Sequence, residues 1–189
     1  MSRDNIAGAL NALIRNLRKY AGFFHWPDKR IKEWDVVDEL LRSMHADGDC
    51  RYTRVKSVDD DAPDCVIRDS AGGQVGVEVT ELVDKDAIEM CERGMNVYRE
   101  WSDQAVREQI AQILKEKDQK MHFGNLYSKR ILVIHTDERE LTSPYLFPIL
   151  DASVFPRPRN IDEAYVLCSY DPSLGYPYKR LNLDGPTTG

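Results

Sequence analysis

The run RILVIHT at positions 130–136 constrains the fold most. An apolar stretch bounded by charges fits a buried strand in the middle of a sheet. Upstream, DCVIRD (64–69) and VGVEVTEL (75–82) are two short β-rich runs on either side of SAGGQ, whose adjacent glycines suit a hairpin loop. Between that hairpin and RILVIHT, the interval 96–120 carries Val106, Ile110, Ile113 and Leu114 at helical spacing. Antiparallel strands followed by a helical crossover imply an α/β fold with a mixed central sheet flanked by helices.

The rest of the chain reads as part of the same unit. Ile6, Leu10, Leu13, Leu17 and Phe24 share one helix face, with Ser2 or Asp4 as N-cap. A second helix is expected over 28–45, with Trp34, Val37, Leu40, Leu41 and Met44 as its buried stripe and Gly48 closing it. RYTRVKSV (51–58) alternates like a strand, and DDDAP after it is a turn. AYVLCSY (164–170) is a further strand. The proline-rich SPYLFPILDASVFPRPRN before it is expected to be irregular, with one helical turn. The tail with Tyr170, Tyr176, Tyr178, Lys179 and Arg180 reads as a terminal strand packing on the sheet, or as an aromatic-basic surface for single-stranded bases. The expected organisation is a single domain over 1–189, with N-terminal helices at 1–48, a core at 50–136, and an irregular connection, last strands and tail at 137–189.

Composition excludes several classes of function. With 42% hydrophobic residues the chain is not a disordered one, and no apolar run approaches the ~20 residues of a membrane span. The N-terminus lacks the features of a secretory signal. Cys50, Cys65, Cys91 and Cys168 show no CxxC spacing, so neither a disulfide framework nor a zinc site is expected, and three of them suit small buried positions in or beside strands. His25, His45, His122 and His135 form no zinc-binding cluster. A cytoplasmic protein is the expectation.

Two carboxylates hold the chemical interest. In the strand 75–82, Val75, Val77 and Val79 take one face and Gly76, Glu78 and Thr80 the other. Asp64 opens the preceding strand, so the hairpin can bring it beside Glu78. Paired carboxylates on rigid strands suit Mg²⁺, and the backbone carbonyl of Val79 is a third candidate ligand. A metal there would acidify a bound water and polarise a phosphate. Spacing alone favours the plainer arrangement, two exposed acids on a hairpin.

The sequence Pro63-Asp64, a glycine turn, then Glu78-Val79-Thr80 resembles the PD-(D/E)xK nuclease superfamily, the restriction-endonuclease-like fold. The resemblance runs from the second helix to about Val133. It implies metal-dependent hydrolysis of phosphodiesters, usually in DNA, with Asp64 and Glu78 as metal-binding carboxylates and Mg²⁺ or Mn²⁺ as cofactor. The family's lysine falls at Thr80, whose hydroxyl supplies no cation. Some branches carry that lysine on the following helix, and the stripe Val106, Ile110, Ile113 continued by one turn lands on Lys117, whereas Lys115 lies off it and Lys120 near its edge. Complementing the helix dipole is the alternative role for Lys117. Glu33 shares a face with Val37, Leu40, Leu41 and Met44 and matches the glutamate that often completes the family's metal site; stabilising its own helix N-terminus is the alternative. Glu81, Asp84, His135 and Asp137 are weaker candidates at strand ends.

The implied partner is nucleic acid, DNA before RNA, with no membrane and with a homodimer left open. The competing expectation is a catalytically inactive interaction or regulatory module on the same fold, in a phage or mobile-element setting. The net charge of −6 does not decide between them. Residues 57–92 carry eleven acids against Arg68 and Lys85, a local balance of −9 that leaves +3 for the rest of the chain. The negative charge is concentrated around the strands that bear Asp64 and Glu78, where divalent cations would help offset it.

Overall fold

The computed structural model describes residues 28–57, 63–95, 100–121 and 126–186. The expected first helix, with Ile6 through Phe24, and all but Pro63 of the DDDAP turn that follows Val58 lie outside the described residues. In chain order the elements are α1 (Lys29–Ala46), β1 (Tyr52–Ser57), β2 (Cys65–Asp69), β3 (Gln74–Glu81), α2 (Lys85–Glu92), α3 (Asp103–Lys120), β4 (Lys129–Thr136), α4 (Ser143–Asp151), β5 (Glu163–Cys168) and β6 (Tyr178–Arg180). The result is an α/β fold with four helices among the described residues and one six-stranded mixed sheet, whose spatial order equals the chain order.

Connection length decides strand direction. β1–β2, β2–β3 and β5–β6 follow short connections and pair antiparallel. β3–β4 and β4–β5 are parallel, and helices supply the long crossovers that this requires. In the β2–β3 hairpin, Asp69 Oδ1 accepts from the Ala71 and Gly73 N–H groups, and Gly72 takes a φ of +85° that a side chain would resist.

Helices cover both faces of the sheet. Val36, Val37, Leu40, Leu41 and Met44 of α1 pack on Tyr52, Ile67, Val75, Val77, Val79, Ile131, Val133, Tyr165 and Leu167. Val106, Ile110, Ile113 and Leu114 of α3, with Leu146, Ile149 and Leu150 of α4, pack on Leu132, Ile134, Ala164, Val166 and Cys168. β4 is buried from Ile131 to Thr136, as its apolar run requires. The sheet also curls: Tyr52 Oη on β1 donates to Glu163 Oε1 on β5 at 2.8 Å, although three strands separate the two in the sheet. A register shift between Arg54 and Lys56 in β1 goes with this bend.

Several local expectations change. Trp34 is 36% exposed, and Val36, at 0%, takes the core place beside Val37. Of the helix expected over 96–120, positions 96–99 lie outside the described residues and the helix observed is Asp103–Lys120, capped by the Ser102 side chain, which accepts from the Ala105 N–H. A separate short helix, α2, precedes it; Asp84 accepts from the Asp86 and Ala87 N–H groups and is its N-cap. The single turn expected after Thr142 is a nine-residue helix, α4, that keeps Pro148 inside it because Leu146, Ile149 and Leu150 are buried. Of the four free cysteines, only Cys65 and Cys168 are buried. Tyr178–Arg180 form the expected terminal strand, and the Tyr170 and Tyr176 rings meet edge to face at 5.4 Å between centroids. No helix among the described residues is long and apolar enough to cross a membrane.

Candidate functional site

Asp64 and Glu78 come together because of where β2 starts. The antiparallel pairing ends at Cys65 and Val77, so β3 continues past its neighbour and the backbone of Val79 is left facing an open side. Buried backbone polar groups need partners. Asp64 Oδ2 accepts the Val79 N–H at 2.8 Å, which fixes the carboxylate at the mouth of the hairpin. The Val79 carbonyl receives Lys117 Nζ at 3.4 Å.

Lys117 enters from α3 on the other face of the sheet. Its ammonium donates to Glu78 Oε1 at 2.7 Å, a charge-assisted contact between side chains that are 21% and 16% exposed. The helical stripe therefore does lead to a lysine beside Glu78, and helix-dipole compensation is not its only contact. Glu78 Oε2 is buried and has no hydrogen-bond partner among the described residues. A carboxylate oxygen in that condition is costly unless a cation or donor reaches it.

Glu33 approaches from α1. It is 7% exposed, in the second turn of a helix capped by Asp28, which accepts from the Arg30 N–H. Lys29, one turn earlier, lies 3.0 Å from Glu33 Oε1 and 4.0 Å from Asp64 Oδ1. The Lys29 ammonium is held above its ordinary pKa, first by the hydrogen bond to Glu33, against burial, and then by the charges of Glu33, Asp64 and Glu78. Asp64 is held above the usual carboxylate range, chiefly by burial, with Glu33 adding to the rise and the Val79 N–H, Lys29 and Lys117 opposing it. Three acids, one from α1, one just before β2 and one from β3, thus share one electrostatic neighbourhood with two lysines.

The other candidates fall outside this group. Thr80 is half-buried at the next same-face position of β3, opposite Ile134, and makes no part of the lysine–carboxylate contacts. Glu81 turns toward α1, where Lys32 Nζ meets its Oε2 at 3.0 Å. His135 is 1% exposed at the end of β4, and Asp137 Oδ1 accepts from Ser169 Oγ at 2.9 Å. Lys29 was not a sequence candidate, although its place four residues before Glu33 is the spacing of a helical ion pair.

The donor set is all oxygen, which suits a hard divalent cation such as Mg²⁺ or Mn²⁺ rather than a thiolate-preferring metal. The buried, unpartnered Glu78 Oε2 fits such a cation. Among the described residues, no three His, Cys, Asp or Glu side chains are already arranged to hold a metal ion; in this arrangement the lysines neutralise the acids instead. No protein-family model, curated protein or solved structure matches this chain. Its class therefore rests on geometry: an α/β protein in which two helices bring lysines and a glutamate to a carboxylate-bearing hairpin.

Proposed function

We propose that the chain is a metal-dependent phosphodiester hydrolase of the restriction-endonuclease-like fold, a nuclease with DNA as its first candidate substrate. The observation that carries this reading is Lys117 Nζ at 2.7 Å from Glu78, which supplies from α3 the cation that Thr80 cannot. Asp64, Glu78, the Val79 carbonyl and Glu33 are the groups that would hold Mg²⁺ or Mn²⁺. When bound, that ion supplies Lewis acidity toward a phosphate oxygen and lowers the pKa of a coordinated water.

The remaining work falls to the chain's own residues. Val79 N–H fixes Asp64, so the first carboxylate is positioned by rigid backbone rather than by a flexible partner. Lys117 restrains Glu78 and offers donor N–H bonds to an attacking water and to charge developing on the phosphate. Thr80 shares the face of Glu78 on β3, and a role for its hydroxyl would be limited to a neutral hydrogen bond.

A second reading, an inactive module on the same fold, is favoured by Thr80 at the motif position and by lysines paired with Glu33 and Glu78. Metal separates the two. Binding to the native state must stabilise it, so millimolar Mn²⁺ raises the melting temperature under the first reading and leaves it flat under the second. The decisive assay incubates DNA and RNA with the protein and Mg²⁺ or Mn²⁺, beside Asp64→Ala. Metal-dependent cleavage lost in Asp64→Ala is expected; no cleavage by the wild type, or cleavage unchanged in the variant, sinks the nuclease assignment.

A further inference from the structure

The two lysines of the site, and Lys32 beside them on α1, differ in how firmly they are held. Lys117 is 21% exposed and bridges Glu78 and the Val79 carbonyl. Lys32 is 17% exposed and closed onto Glu81. Lys29 is 82% exposed, yet its ammonium lies 3.0 Å from Glu33 and 4.0 Å from Asp64, two carboxylates whose side chains are only 9% and 8% exposed. A long stem in solvent with its charge on two buried acids can leave without breaking packing.

Charge decides when it leaves. Glu33, Asp64 and Glu78 with Lys29 and Lys117 sum to −1, so the two ammoniums nearly neutralise the acids. A divalent cation held by the same carboxylates would bring the local sum to +1 while Lys29 remained, and the like charges would repel. The cation with the solvent-exposed stem is the one displaced. Because Lys29 sits in the first turn of α1, one turn before Glu33, a displaced ammonium would still reach the surroundings of the carboxylates.

We propose that Lys29 is the exchangeable cation of this site: it neutralises Glu33 and Asp64 in the metal-free protein, yields them to a divalent cation, and then binds the phosphate of the substrate. The proposal rests on the metal-dependent reading above. It gives Lys29 two effects of opposite sign, a competitor of the metal and a ligand of the substrate, which a merely structural ion pair would not produce.

The test measures Mn²⁺ binding by titration calorimetry, and binding of a labelled DNA duplex by fluorescence anisotropy in Ca²⁺. Wild type, Lys29→Met and Lys29→Arg are compared, with circular dichroism to confirm folding. Lys29→Met is expected to bind Mn²⁺ about two- to fivefold more tightly and DNA about two- to fivefold more weakly, the range set by one exposed ion pair. Lys29→Arg, which keeps the charge, is expected to follow the wild type in both. If Lys29→Met binds Mn²⁺ no more tightly, or DNA no more weakly, the exchange is overturned while the metal reading stands. If the wild type binds no Mn²⁺, the metal reading fails and takes this proposal with it.

Discussion

Removing Lys117 should cost more than removing its partner. At 2.7 Å the ammonium and the Glu78 carboxylate attract by about 6 kcal/mol at an effective dielectric of about 20, before the cost of desolvating both ions. Both side chains are mostly buried, so a net coupling of about 1–3 kcal/mol is expected. In Lys117→Met, Glu78 loses its donor while its other oxygen is already buried and unpartnered, which puts the loss at about 2–3 kcal/mol. In Glu78→Gln, the long lysine stem can carry its charge to water, and the loss should be nearer 1 kcal/mol. Urea unfolding of the wild type, both single variants and the double variant, in a chelator to exclude metal, measures the coupling directly. A coupling below about 0.5 kcal/mol, within the range for independent sites, or a larger loss for Glu78→Gln than for Lys117→Met, would show that the pair contributes no net stability of this kind.

Asp64 has a raised pKa in the folded chain, so its ionisation works against folding: the stability present below its unfolded value is lost as pH rises through the folded one. Asp64→Asn keeps an oxygen for the Val79 N–H, and in differential scanning fluorimetry at pH 7 without metal it should melt above the wild type and lose any Mn²⁺ response. Glu163 shows the opposite sign. Burial raises its pKa, but hydrogen bonds from Tyr165, Tyr52 and Lys129 and the charge of Arg180 outweigh it and bring the carboxyl from 4.5 to about 2. That shift contributes about 3 kcal/mol above pH 4.5, of which about 2 kcal/mol is gone by pH 3, so urea stability should fall more steeply across this window in the wild type than in Glu163→Gln. Gly185→Ala should destabilise by about 1–3 kcal/mol in thermal melts, because its Cβ would stand 2.6 Å from the backbone oxygen of Phe155.

Local periodicity made much of the fold legible. The valine alternation of β3, the apolar run of β4 and the stripe of α3 each have one buried face, and burial is what the structure then enforces at Val75, Val77, Val79, Ile131 and Ile110. The same logic led to Asp64 and Glu78, since hairpin register is a local property, and to Lys117, since a helical stripe extends predictably by one turn. Lys29 was illegible because its role depends on Asp64, 35 positions away in the chain and brought close only by the packing of α1 on the sheet. Glu163 was illegible for the same reason: its partner Tyr52 is 111 residues away and arrives through the curl of the sheet. Pro148 misled in the other direction, because burial of Leu146 and Leu150 overrides its poor helical propensity.

The proposed function turns on a metal centre at Asp64 and Glu78, supported by Lys117. Crystals soaked in Mn²⁺ test it most directly, through anomalous scattering measured near the manganese edge. One strong peak is expected in contact with the Asp64 and Glu78 carboxylates, at the unpartnered oxygen of Glu78, with Lys117 still beside the other. Ordered crystals at millimolar Mn²⁺ with no peak there, or with manganese only at other acids, would contradict it.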